Sequence, residues 1–291
     1  MHSLFGVIPD HVLEYFGHPA SLIRLLEQYP DLRVDLSAPS PSIGVSNIVQ
    51  WHKLGDTSAS SFGLRQQRGT LMGWKVTGDD HYRSCRLHRP EFEQMVHKQI
   101  VDDWECDIAD VHGFAAYKSE LNEFASTDQM AETKCPDLID EISQENLAKN
   151  LAHREIRIIH HANIDYFARH LWDDRLFLMN DGGSHHFAAA KYIATRLPQS
   201  VPLKGKLYTY SLNALAIESL RADYEMFVIS DAAVIACDFH RSMEAFRATW
   251  LWFSLPLPYE HAKGVFFPKN EPRSRRVANR LRHAGVVDLV H

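Results

Sequence analysis

Residues 176–179, Leu-Phe-Leu-Met, form an unbroken apolar run, and Asp181, Gly182 and Gly183 follow almost at once. A run that short predicts a strand buried on both faces and is too short for a helix standing alone. Phe187, Ala190, Ile193, Ala194 and Leu197 then recur at helical spacing, and Pro198 stops the pattern. The segment therefore reads as strand, glycine turn, helix, which requires a sheet with at least one covering helix.

Such a unit has a chemical use. The first turn of a helix leaves backbone N–H groups without intrahelical partners and carries the positive end of the macrodipole, so an anion fits there. Gly182 and Gly183 remove side chains from the approach, Ser184 is placed to cap the helix or touch the anion, and His185 and His186 add donors. The same residues also make a plain tight turn into a helix capped by Ser184, and the local pattern does not choose between the two readings.

The stretch Gly182-Gly183-Ser184-His185-His186-Phe187-Ala188-Ala189 resembles the Gly-Gly-Cys-His-Arg-Tyr-Ala-Ala box of sulfiredoxins and, more loosely, the corresponding box of ParB-type proteins. The resemblance implies a small ParB/sulfiredoxin-like α/β (α+β) fold, a mixed sheet with helices, that binds ATP or CTP with magnesium at a phosphate-binding loop. Its nucleotide contacts would be Gly182, Gly183, Ser184, His185 and Lys191. Two departures stand out. Ser184 replaces the catalytic cysteine, which argues against thiol chemistry, and His186 replaces an arginine whose fork suits phosphate better.

With 45% hydrophobic and 23% charged residues, the composition is that of an ordinary globular protein, and the formal charge of −6 argues against a general nucleic-acid coat. No apolar run reaches membrane-spanning length and the first residues lack signal-peptide character, so a soluble, cytoplasmic protein without a membrane partner is expected. Cys85, Cys106, Cys135 and Cys237 are scattered with no Cys-x-x-Cys pair, which suits a reduced compartment.

In chain order, helices are expected over 9–16 and 19–29, a loop over 35–61, a hairpin over 65–77, and amphipathic helices over 90–106 and 111–124. An acid-rich stretch over 126–149 suggests a boundary near 150, between a mainly helical accessory region, 1–150, and a motif-bearing α/β domain, 151–291; the alternative is one continuous domain whose surface this stretch wraps. There, 156–160 reads as a strand and 163–172 as a helix capped by Asn163. Strands over 206–210, 226–229 and 233–237 follow, with a helix over 212–220.

Asp181, Ser184, His185 and His186 are the candidate catalytic residues, with Asp231 and Asp238 as further carboxylates at expected strand ends. His160-His161 and His185-His186 form a second constellation, to which no metal is assigned. Arg273, Arg275, Arg276, Arg280 and Arg282 form a basic helix that is either a solvated face or a phosphate contact for a nucleic acid. Two main function classes follow. One is a nucleotide-binding phosphoryl transferase or hydrolase; the other is a non-catalytic regulatory or interaction protein with a protein partner. Nucleic-acid binding or cleavage through the basic helix is the third.

Overall fold

The computed structural model describes residues 9–36, 40–54, 68–116, 120–161 and 164–289. Its strands, in chain order, are β1 (Thr70–Val76), β2 (Tyr82–His88), β3 (Val96–Asp107), β4 (Gly113–Phe114), β5 (Tyr166–His170), β6 (Leu176–Met179), β7 (Pro202–Leu212), β8 (Tyr224–Ser230), β9 (Trp250–Ser254) and β10 (Ala262–Pro268). The helices are α1 (Asp10–Tyr15), α2 (Ala20–Gln28), α3 (Pro90–Glu93), α4 (Thr127–Lys134), α5 (Gln144–Leu151), α6 (Arg157–His160), α7 (Ser184–Arg196), α8 (Ala214–Asp223), α9 (Ala233–Phe246) and α10 (Pro272–His283). The fold is thus mixed α/β.

Two compact units share the chain. One comprises Met1–Ser37, Lys53–Met95 and Asn213–His291; the other comprises Ala38–His52 and Val96–Leu212. Neither coincides with the halves 1–150 and 151–291, because the division follows the two sheets, and α5, which runs across residue 150, packs on α7, well after it. The region expected to be mainly helical also supplies β1, β2, β3 and β4.

In the unit containing Val96–Leu212, the sheet order is β3-β7-β5-β6-β4. β6 runs antiparallel to β5 and parallel to β4, while β7 runs parallel to β5 and antiparallel to β3. Leu176, Phe177 and Leu178 are buried on both faces of β6, as an unbroken apolar run requires. α7 packs with α4 and α5, and its Phe187, Ala188, Ala189, Ala190, Ile193 and Ala194 are fully buried. A helix apolar on so many sides belongs inside the unit.

The other unit has a wholly antiparallel sheet in the order β2-β1-β9-β10-β8. Leu22, Phe239, Met243, Phe246, Val277 and Leu281 of α2, α9 and α10 form its core with Phe227, Val265 and Phe267 from the strands. Pro272 opens α10, and the Glu271 carboxylate caps it by accepting from the Arg273 and Ser274 backbone N–H groups.

Several local expectations are corrected. Over 90–106 there is one turn of helix, α3, followed by β3. Ile100 and Val101 are 48% and 38% exposed, so the apolar residues share no buried helix face; β-branched Val96, Ile100 and Val101 pair with β7 instead. Over 111–124 the described residues form β4 and a 3-10 turn at Leu121–Glu123. Residues 156–160 end in the single turn α6, and 163–172 contain β5. Ile164 and Leu171 are exposed, which removes the expected helical face, and β5 is hydrogen-bonded on both sides. Asn163 lies outside the described residues. The expected strand over 233–237 is the start of α9, whose buried Ile235, Phe239, Met243 and Phe246 recur at helical spacing beyond that window.

Candidate functional site

The glycine turn is built as strand, turn and helix, with β6, Gly183 and α7 in succession. Gly183 is left-handed, at φ 76° and ψ 3°, and serves as the N-cap position of α7 without a side-chain cap. Asn180, 6% exposed, organises the turn. Its Nδ2 donates to the Gly182 carbonyl at 2.6 Å and to Ser184 Oγ at 3.0 Å, while its Oδ1 accepts from the Ala115 and Ala116 N–H groups.

The space before the turn is already filled by the chain. A Cβ on Gly183 would stand 2.5 Å from the Glu155 carbonyl oxygen, and one on Gly182 would stand 3.3 Å from Glu155 Oε2. The glycines thus admit the segment around Glu155, whose carboxylate brings negative charge to the place an anion would take. Among the described residues, no group of three or more His, Cys, Asp or Glu side chains is arranged to hold a metal ion. The expectation of a nucleotide-binding, ATP-binding phosphate loop is therefore corrected: the glycines serve close backbone packing.

The other candidates near the turn have partners of their own. Ser184 is buried with its hydroxyl bound to Asn180. Lys191 donates its Nζ to the Val111 carbonyl, and burial lowers its pKa. His186 stacks on His153 at 3.7 Å between centroids, and its Nδ1 lies 3.1 Å from Asn150 Oδ1. Burial, and then the nearby His153 and His185, lower the pKa of His186. His185 is exposed, and the exposed Asp181 sits 3.6 Å from Arg157.

His160 Nε2 lies 2.8 Å from the Leu151 carbonyl, whereas His186 stacks on His153, so these two members of the histidine pairs have different partners. Asp231, paired with Lys263, and Asp238, bound by Tyr29 and Arg241, belong to the other compact unit. Of the basic helix, Arg273 donates to the carbonyls of Glu14 and Phe246, Arg276 to that of Gly17, and Arg282 to Glu225. Arg275 and Arg280 are exposed.

A residue absent from the sequence-based candidates, Asp165, marks a different place. It immediately precedes β5, whose first residue Tyr166 is opposite Met179, so Asp165 lies at the sheet end where β6 runs into the glycine turn. Asp165 is 3% exposed, and its Oδ2 is buried with no hydrogen-bond partner among the described residues. Burial pushes its pKa up to about 6; Arg157 and the backbone N–H groups of Asp181 and Ile158 oppose the shift, and the Asp181 charge adds to it.

Asp165 lines a cleft of about 620 Å³, together with Ile158, His161, Leu203, Lys204 and Lys206. Gly205 lets the cleft wall close, since a Cβ there would stand 2.6 Å from Ile158 Cδ1. At the rim, the register of β3 shifts between Val101 and Trp104, and the intervening Asp103 adopts φ 55°. This bulge sets Asp103 at 3.4 Å from Lys204 and Asp102 at 3.5 Å from Lys206. Two ion pairs therefore flank one buried carboxyl that forms no ion pair among the described residues. The sequence signal for Asp165 is a lone carboxylate at the edge of Tyr166-Phe167-Ala168, which the expected helix over 163–172 obscured.

Residues 101–291 match the model of a family described as "Family of unknown function (DUF6685)". The chain belongs to this family. The match takes in the cleft, the glycine turn and α10 together. No curated protein and no solved structure matches the chain. Among the described residues, no helix is long and apolar enough to cross a membrane.

Proposed function

We propose that this chain is a non-catalytic, regulatory small-molecule-binding protein whose cleft takes an organic cation bearing N–H donors, a primary ammonium group above all. The observation that carries the reading is the buried, unpartnered Oδ2 of Asp165 in the wall of the cleft. A buried acceptor without a donor is costly, and a charged donor from a ligand satisfies it most strongly. The charge balance agrees: Asp102, Asp103 and Asp165 face Lys204 and Lys206, leaving one negative charge in excess when Asp165 is ionised. Ile158, Ile159 and Leu203 supply the apolar wall for the body of the ligand. We further propose that the chain's likeness to the sulfiredoxin-like superfamily is one of architecture, strand, left-handed glycine and helix.

The test is calorimetric titration of the full chain with a series of primary alkylammonium ions at pH 7.5, beside Asp165→Asn. Saturable binding that weakens about tenfold or more in the variant is expected. Absence of binding across the series, or equal binding by the variant, would overturn the reading.

A further inference from the structure

We infer that the unit containing α10 carries a second ligand site, a seat for a phosphate-monoester group between the α1–α2 turn and the outer face of α10. Gly17 and His18 face Arg276, Asn279, Arg280 and His283 across a cleft of about 330 Å³. The spacing of the four helix residues places them on one face at successive turns, so they converge on the same ligand.

Their hydrogen bonds leave donor groups of cleft-lining residues unused. Arg276 Nη1 donates to the Gly17 carbonyl at 2.8 Å, which fixes the guanidinium plane and leaves its other N–H groups for a ligand. Gly17, at φ +83°, is what makes room: a Cβ there would collide with that guanidinium. Asn279 Oδ1 accepts from Arg282 at 3.2 Å, so the amide presents its NH₂ side. His283 Nδ1 lies 2.6 Å from the Asn279 carbonyl, which fixes the ring.

The charges in the cleft are not cancelled locally. Among the described residues no carboxylate forms an ion pair with Arg276 or Arg280, whereas Arg282 on the neighbouring stripe is paired with Glu225 at 2.6 Å. Two guanidinium groups with an amide donor match a dianion with three equivalent oxygens, and a phosphate monoester is that dianion near neutral pH. Immediately before Gly17, the rings of Tyr15 and Phe16 are 78% and 77% exposed. That apolar flank means the phosphate could be carried by a soluble ester or by a lipid headgroup, and the test separates these sources.

The full chain is titrated with inorganic phosphate at pH 7.5 by calorimetry, beside Arg280→Ala and Arg275→Ala. Both residues are exposed, but only Arg280 lines the cleft. Saturable binding by the wild type, weakened about tenfold or more by Arg280→Ala and left unchanged by Arg275→Ala, is expected. Thermal unfolding of each variant checks that the fold is intact. Co-sedimentation with phosphatidylcholine vesicles that contain phosphatidic acid, lost in Arg280→Ala, assigns the group to a lipid; phosphate binding without co-sedimentation assigns it to a soluble ester. No phosphate binding by the wild type, or binding that Arg280→Ala leaves intact, overturns the inference. This site shares no residue with the Asp165 cleft, so either can fail alone.

Discussion

The carbonyl oxygen of Glu155 stands 2.5 Å from where a Cβ on Gly183 would be, and its carbonyl carbon stands at 2.7 Å. This contact is backbone against backbone, so no side-chain rotation relieves it. Gly183→Ala is expected to destabilise the protein by about 3 kcal/mol or more, of which the positive φ accounts for about 1–2 kcal/mol. At Gly182 the nearest atom is the end of the Glu155 side chain, so Gly182→Ala should cost under about 1 kcal/mol. Urea unfolding of the two variants compares them directly; equal losses would refute the account of the turn.

Asn180 joins β4's exit to the glycine turn through four hydrogen bonds. Removing them leaves two backbone N–H groups, one carbonyl and a buried hydroxyl without that partner. Asn180→Ala is therefore expected to cost about 2–4 kcal/mol, against about 1 kcal/mol for Ser184→Ala, by the same unfolding measurement.

Asp165 predicts a specific pH dependence. Its folded pKa, about 6, lies above the unfolded value, so the native state holds the proton more tightly. The stability this proton confers is complete below pH 4 and is lost as pH rises through 6. Asp165→Asn should therefore leave stability nearly unchanged at pH 4 and raise it by about 1–3 kcal/mol at pH 8. Denaturation curves at the two pH values decide the matter. The same titration should weaken ammonium binding below pH 6, because the neutral acid loses its attraction for a cation.

His186 works in the opposite sense. Burial and its histidine neighbours lower its folded pKa below the unfolded one, so its contribution is present above pH 6.5 and falls away as the solution is acidified through the folded pKa. His186→Gln should flatten the dependence of stability on pH on the acid side of the unfolded histidine pKa. An unchanged slope in the variant would place the acid sensitivity elsewhere.

The parts of the fold legible in the sequence are those whose partners are close in the chain. β6 and α7 stood out because an apolar run, two glycines and a helical period lie side by side. α10 was legible through Pro272 and its basic spacing. β3 was not, since Phe92, Met95, Val96 and Ile100 mimic a helical period while the strand's partner β7 is about a hundred residues away. β5 is hidden for a similar reason: Phe167 pairs with Leu178 of β6 and Leu207 of β7, and the periodicity of its own segment does not reveal them. The glycine turn is legible as a shape but not as a filled one, because its occupant, Glu155, lies about thirty residues earlier in the chain. Asp165 escaped notice because its significance is a missing partner, and that is a property of packing.

The Asn213 N–H donates to the Met95 carbonyl at 2.8 Å, so the longer of the chain's two excursions from one compact unit begins and ends at the same place. Within the other unit, Val96 and Leu212 are likewise register partners. The span 96–212 is thus a cassette with touching ends. The gap between those ends is one that a tight turn can bridge, and closing so short a loop carries little entropic cost. The same junction is a natural place to open the chain for circular permutation, or to graft a reporter whose own termini meet.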